Sequence, residues 1–245
     1  MDVQNVKPYA ADGAKGEQVR EMFDSIAPAY DFMNRAMTMG VDRLWRRRAV
    51  DAVAAATPAR VLDIATGTGD VAIALARRLP EARITGVDLS EGMIAVGRRK
   101  VAAAGLEGRV ELLQGDSMAL ELPDASVDAI TVAYGVRNFE HLLQGYREMM
   151  RVLRPGGLLC VLELSTPRGT LTRPLYKLYT RYVIPAAGRL VSRDVRAYSY
   201  LPESIAAAPQ GEAMCRLMRE AGAADATFRS MTFGACTLYL AHKPL

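Results

Sequence analysis

From Arg60 onward, short runs rich in Val, Ile and Leu alternate with longer stretches whose apolar residues recur at the helical period. A strand buried on both faces is apolar without alternation, and a crossover helix is apolar along one stripe. The pattern therefore predicts βα units around a parallel sheet. The predicted strands are 60–65, 83–88, 109–114, 127–134 and 158–164. Between them fall helices at 71–79, stopped by Pro80, at 91–104, opened by Ser90 and closed by Gly105, and at 141–153, stopped before Pro155. Two earlier stretches, 17–29 and 42–56, have helical apolar spacing and are expected to cap one side of a site. After the fifth strand the pattern breaks. Residues 166–209 hold five of the twelve prolines and five of the ten tyrosines in no βα register, as in an insertion lying over the sheet. The chain then returns to a helix, 211–221, and to strands 224–231 and 236–242 joined by a short turn, hence antiparallel. A dinucleotide dehydrogenase would instead reach its sixth strand through another right-handed crossover. The expectation is one α/β domain over 1–245 with a Rossmann-like sheet: helical cap 17–56, core 60–165, lid 166–209 and C-terminal unit 210–245.

Composition narrows the chemistry. With 245 residues, 50% hydrophobic and 24% charged, the chain has the make-up of a globular domain, and its longest apolar runs fall short of the roughly 20 residues that span a bilayer. Met1 to Gly16 carries no apolar leader, so a cytoplasmic protein is expected. A net charge of +4 is too small to call for nucleic acid, and none is expected as a partner. Cys160, Cys215, Cys236, His141 and His242 lack paired spacing, which argues against a disulfide framework and a metal site. The cysteines sit in apolar periods as core thiols. Carboxylates, arginines, backbone groups or a bound cofactor remain.

Val61 to Ala72 runs from strand through a glycine turn into a helix, and Gly67, Gly69 and Ala72 satisfy G-x-G-x-x-A. Such glycines let backbone approach a ligand while the helix offers free N–H groups, although a tight βα turn without ligand has the same form. Asp88 ends the second strand 21 residues beyond Gly67, where a carboxylate can accept both hydroxyls of a ribose; helix capping is the other reading, for which Ser90 is better suited. Asp116, after the third strand, can accept from an adenine amine or serve only its turn.

Asp63 within the first strand, Val127-Asp-Ala-Ile130 and Arg154-Pro-Gly-Gly157 resemble the class I S-adenosylmethionine methyltransferases, whose seven-stranded sheet ends in an antiparallel strand. That resemblance implies S-adenosylmethionine as cofactor, with Asp63, Thr66, Gly67, Thr68 and Gly69 near its methionine part, Asp88 and Leu89 at ribose, Asp116 and Ser117 at adenine, and Ala133 at the fourth strand. More specific segments are Met22-Phe-Asp-Ser-Ile-Ala-Pro-Ala-Tyr-Asp-Phe-Met-Asn34, Gly40-Val-Asp-Arg-Leu-Trp45, Tyr134-Gly-Val-Arg-Asn138, Val161-Leu-Glu-Leu-Ser165 and Tyr198-Ser-Tyr-Leu-Pro-Glu-Ser204. From Glu17 to His242 the chain resembles the quinone-biosynthesis C-methyltransferases, which methylate a ring carbon of a polyprenyl quinol. The naphthoquinol of menaquinone is the expected acceptor and the benzoquinol precursor of ubiquinone the alternative. Thr66, where relatives often have Gly or Cys, and Ala133, often Ser, depart from the pattern; the second removes a hydrogen bond. Tyr30, Asn138, Leu175, Tyr179 and Tyr200 are the substrate-side residues the resemblance implies.

Carbon methylation requires a nucleophilic ring carbon, and ionising a neighbouring hydroxyl supplies it. A phenol pKa of about 10 makes this cost roughly 4 kcal/mol at pH 7. A cation lowers that cost, and Arg137, just past the fourth strand, is the candidate, a loop-holding salt bridge being its bland alternative. Arginine is a poor base, so water or a carboxylate such as Asp70 must take the proton. Arg43, Arg46, Arg47 and Arg48 read as a solvated helix face, or as a contact for anionic lipid. Leu171, Leu175, Leu178, Tyr179, Tyr182 and Val183 form an apolar stripe beside Arg173, Lys177 and Arg181, fitting either lid packing or a path for an isoprenoid tail from the inner face of the cell membrane. A homodimer is left open. Against rival methylations, no carboxylate cluster for catechol magnesium and no Asn/Asp-Pro-Pro-aromatic loop stands at the fourth strand; a cofactor-binding module without turnover is the rival from another class.

Overall fold

The computed structural model describes residues 3–9, 12–167, 169–170, 172–183 and 195–245. Seven strands form one sheet in the order β3-β2-β1-β4-β5-β7-β6: β1 Arg60–Ile64, β2 Arg83–Asp88, β3 Val110–Gln114, β4 Val127–Ala133, β5 Leu153–Leu164, β6 Asp225–Met231 and β7 Cys236–His242. β1 to β5 are parallel, and β7 runs antiparallel to both β5 and β6, which gives the expected seven-stranded sheet with its last strand reversed. β5 begins five residues before the expected strand because Val127 pairs with Leu153 across a register shift, and Gly156 and Gly157 bond Lys243.

Helices cover both faces. α3 Asp42–Ala55, α4 Asp70–Arg78 and α5 Glu91–Ala103 pack Trp45, Val53, Leu75 and Ile94 against one face. α6 Leu142–Val152 and α9 Glu212–Glu220 pack Tyr146, Met149, Met214 and Met218 against the other. Each fully buried side chain of this size is worth about 1.5–3 kcal/mol, so the two layers hold the strand ends in register. A third, smaller core joins α1 Lys15–Ile26 and α2 Tyr30–Thr38 to Met93 of α5 and to Tyr200 of α8 Val195–Ala207.

α2 is the element that sequence periodicity passed over. The expected helix 17–29 ends at Ile26, because Pro28 sits in the first turn of a separate 3-10 segment, Ala27–Ala29, where its missing N–H has no cost and which leads into α2. Left-handed Met39 (φ 51°) stops that helix. The lid contains α7 Thr172–Leu178, a π-helical turn Tyr179–Val183 and α8. Of the expected apolar stripe, Leu171 and the side chains of Leu175, Lys177, Arg181 and Val183 lie outside the described residues.

In the strand order, β1 and β4 are neighbours whose following crossovers leave in opposite directions. Open α/β sheets bind ligands outside the carboxyl ends of such a pair. There Ala65 (φ 52°) and Tyr134 (φ 61°) both take the left-handed conformation, strain of order 1 kcal/mol or more that persists only where packing imposes it. Gly135 completes the constriction, since a Cβ on it would stand 2.5 Å from Ala65 Cβ.

Candidate functional site

The turn after β1 is built by its own polar groups. Gly67 (φ 56°) and Gly69 (φ 77°) are left-handed, and Gly69 N donates to Thr66 O at 2.9 Å. Within β1, Asp63 accepts from Thr66 Oγ1 and Thr131 Oγ1, both at 2.6 Å, and is fully buried; burial pushes its carboxyl up to about 6 against the hydroxyls that pull it down. At the end of β2, Asp88 accepts from Gly67 N at 2.8 Å and Ser90 N at 2.9 Å, tying the glycine turn to the next strand, while burial raises its pKa. Ser90 caps α5 by accepting from Met93 N, so the capping role falls to Ser90. Asp116 accepts from Met118 N at 2.8 Å.

Three spaces meet at this edge. A cleft of ≈ 60 Å³ is lined by Gly67, Asp88, Leu89, Asp116, Ser117, Ala133 and Asn138. On the other side of Gly67 a space of ≈ 30 Å³ is lined by Asp63, Thr66, Thr68, Asp70 and Arg46. The third is a cavity of ≈ 270 Å³ between the N-terminal helices and the lid, lined mostly by apolar side chains and reached by Arg46, Arg137, Tyr179 and Tyr200. Tyr30 and Tyr134 border all three. Gly69 lines none; its place is in the turn. Tyr200 Oη donates to Asn138 Oδ1 at 3.2 Å, and Tyr179 Oη bonds Met37 O, so both lid tyrosines brace the cavity wall. The side chain of Leu175 lies outside the described residues.

Arg137 is buried and its Nη1 donates to Glu163 Oε1 at 2.8 Å; Glu163 also accepts from Arg137 N and Leu164 N. The arginine is therefore held in a salt bridge, yet its Nε has no partner and it faces the cavity. Asp70 is poorly suited to the base role expected of it. Burial alone would raise its pKa, but Lys100 Nζ at 2.5 Å and Arg46 outweigh burial and lower it, so the carboxylate resists protonation. The arginine run also departs from expectation. Arg43, Arg47 and Arg48 are exposed, but Arg46 turns inward with its side chain 14% exposed, bound to Asp70 and 3.4 Å from Asp42. Its guanidinium lies 5.7 Å from the centre of the Tyr134 ring.

Arg46, Tyr134 and Asp42 are the site residues that sequence reasoning missed. The signal for Arg46 was its place beside Trp45 on the flank of the buried stripe Asp42, Trp45, Ala49, Val53. Among the described residues three buried side-chain polar atoms lack a hydrogen-bond partner: Arg46 Nε, Tyr134 Oη, which makes only a loose approach to the Cys236 thiol, and Arg137 Nε. All three residues line the large cavity. Among the described residues no group of His, Cys, Asp or Glu is placed to hold a metal, and no helix is long and apolar enough to cross a membrane.

The model of the ubiE/COQ5 methyltransferase family matches residues 11–243. The chain belongs to that family. A demethylmenaquinone methyltransferase of Bacteroides fragilis is 47% identical over 240 residues, covering 98% of each chain. The ubiquinone/menaquinone biosynthesis C-methyltransferase of Geobacter sulfurreducens is 46% identical over 232 residues, 94% of this chain and 90% of that one. The fold is shared with an S-adenosylmethionine-dependent methyltransferase from Thermotoga maritima, TM-score 0.61 at 20% identity, over 91% of this chain and 99% of that one.

As a member of the family the chain is a methyltransferase that uses S-adenosylmethionine. Its residues fit that cofactor on structural grounds. Gly67 leaves the cleft open, since an added Cβ would stand 3.9 Å from Tyr30 Cε1, and each Asp88 oxygen takes one backbone N–H.

Proposed function

We propose that this chain methylates a ring carbon of a polyprenyl quinol, converting demethylmenaquinol to menaquinol. The observation that carries this reading is a largely apolar cavity beside the glycine turn into which Arg46, Tyr134 and Arg137 reach, each with one buried polar atom left unpartnered. Buried donors without partners cost about 1–3 kcal/mol each, and an aromatic quinol in an apolar pocket offers oxygens to satisfy them. The names of the relatives point the same way.

Bound S-adenosylmethionine supplies an electrophilic methyl group on a sulfonium. The chain's part is to hold and ionise the acceptor. Asp88 accepts from ribose, Asp116 and Ser117 frame adenine, and the Thr66 to Gly69 turn carries the methionine end. Tyr30 and Tyr134, which border all three spaces, flank the line between cofactor and acceptor. Arg137, charged and with Nε free, stabilises the phenolate oxygen, and removing water from the cavity strengthens that interaction. With Asp70 neutralised by its cations, Asp42 takes over as proton acceptor: it is the one carboxylate lining the cavity among the described residues, oriented by Thr38 Oγ1 at 2.8 Å.

The substrate's tail calls for a membrane. Met39 lines the cavity yet is 84% exposed, and Phe233, 82% exposed in the left-handed run Thr232-Phe233-Gly234, follows the cavity-lining Thr232. We place this rim, beside exposed Arg35 and Arg43, against the inner face of the cell membrane. A benzoquinol acceptor is the second reading, favoured by the double naming of the Geobacter relative.

The test is incubation with methyl-labelled S-adenosylmethionine and, separately, demethylmenaquinol, its oxidised quinone and the benzoquinol. Label on a ring carbon of the naphthoquinol, and none on the quinone, is expected. Label on oxygen, or on the benzoquinol alone, would overturn the assignment.

A further inference from the structure

Arg46 comes from the N-terminal cap, outside the nucleotide-binding core, yet it lines the ≈ 30 Å³ space beside the glycine turn. S-adenosylmethionine has two recognisable ends. Asp88, Asp116 and Ser117 all lie on one side of Gly67, in the cleft suited to the nucleoside. An α-amino acid group, which carries an ammonium and a carboxylate, is then left to the opposite side. That side holds two acids, Asp63 and Asp70, and one guanidinium, Arg46; Asp70 is already paired with Lys100, which leaves Asp63 and Arg46 for a ligand. The pair is complementary in charge to the zwitterion.

The present bonds of Arg46 are compatible with an exchange. Its Nε is buried without a partner. Its Nη1 is held by Asp70, but Asp70 also has Lys100 Nζ at 2.5 Å, and Lys100 in turn has Asp31 at 2.6 Å. Asp70 therefore remains paired if Arg46 shifts to another carboxylate. Its second acid, Asp42, lies at 3.4 Å, a loose contact. Burial works against the charged form of Arg46, but Asp70, Tyr134, Tyr30 and Asp42 outweigh it and keep the side chain protonated. A planar guanidinium with a free Nε–H can present two parallel donors to a carboxylate, the geometry that a lysine lacks.

We infer that Arg46 binds the α-carboxylate of S-adenosylmethionine, with Asp63 facing the ammonium, so that the cap helix α3 closes on the cofactor itself. The inference rests on the cofactor and is independent of the quinol. Arg46 also lines the large cavity, so the residue that meets the cofactor forms part of the acceptor wall.

The test compares binding of S-adenosylmethionine, its decarboxylated analogue and methylthioadenosine to the full-length protein by calorimetry. The wild type should bind the intact cofactor more tightly than the decarboxylated one. Arg46→Gln should weaken intact cofactor by about 10- to 100-fold while changing the other two ligands by less than about twofold, since a hydrogen-bonded charge pair is lost for one ligand alone. Arg46→Lys should keep part of the discrimination, and its melting curve separates misfolding from lost contact if Arg46→Gln does not fold. Equal weakening of all three ligands, or unchanged binding of the intact cofactor, would overturn the assignment. A wild type that bound none of the three would instead sink the cofactor reading and leave Arg46 without a ligand.

Discussion

Removing Arg137 should damage the protein in two separable ways. Its guanidinium and Glu163 are both buried, with side chains 7% and 3% exposed, and lie 2.8 Å apart. Arg137→Met leaves the Glu163 carboxylate in the interior with only the backbone N–H groups of Arg137 and Leu164. Breaking one side of a buried pair costs about 3–5 kcal/mol, and each kcal/mol lowers the melting temperature of a domain of this size by about 2–4 °C. A fall of about 10 °C is expected by calorimetry or circular dichroism. Adding Glu163→Gln removes the stranded charge while keeping an acceptor for Leu164 N, and should return at least half of the loss. Turnover behaves differently. Arg137 lines neither of the two spaces around Gly67, so affinity for S-adenosylhomocysteine should change less than about threefold in both variants, whereas kcat should fall strongly and stay low in the double variant. If the double variant recovers kcat along with stability, Arg137 is only the clasp that holds its loop, and the phenolate needs another cation. If the single variant melts unchanged, the buried pair carries no energy and the packing account fails.

Three further outcomes can be checked. Asp88→Asn should weaken S-adenosylhomocysteine by about tenfold, because ribose hydroxyls lose a charged acceptor, and should lower the melting temperature by a few degrees, because one of the two backbone N–H groups loses its acceptor; unchanged ligand affinity would leave Asp88 only its backbone duty to Gly67 and Ser90. Asp63 is raised in the folded protein to about 6, so its contribution to stability is greatest at low pH and is lost as pH rises through about 6, a change of about 3 kcal/mol; because an ammonium needs the ionised form, affinity for S-adenosylhomocysteine should weaken as pH falls below about 6. The affinity slope should vanish and the stability slope should flatten in Asp63→Asn, since Asp88 is raised as well, and a wild-type affinity profile flat between about pH 5 and 7 would refute the role. Met39→Ser with Phe233→Ser should reduce co-sedimentation with phosphatidylglycerol vesicles at least about tenfold while sparing turnover of a tail-less quinol; equal binding of variant and wild type would move the membrane face elsewhere.

Sequence alone determined what depends on local patterning. The Val-, Ile- and Leu-rich runs at Arg60–Ile64 and Val127–Ala133 read as doubly buried strands, the glycines at 67 and 69 as a tight turn between strand and helix, and the tail without a crossover implied the reversed last strand. Asp88 and Asp116 were placed because a strand end fixes where its next residue stands. What needed the tertiary structure was the partner of each charge. Arg137 and Arg46 look alike in sequence, but Glu163 and Asp70, distant along the chain, decide that the first is a buried ion pair and the second a part-buried one, and that Asp70 is held ionised by cations. The acceptor cavity belongs to no single segment: α1, α2 and α3, the ends of β4 and β5, the lid and the 232–235 turn each supply part of its wall. Helical periodicity reports which face of an element is buried but not against what, and the ordering of charges inside a packed site follows from that second fact.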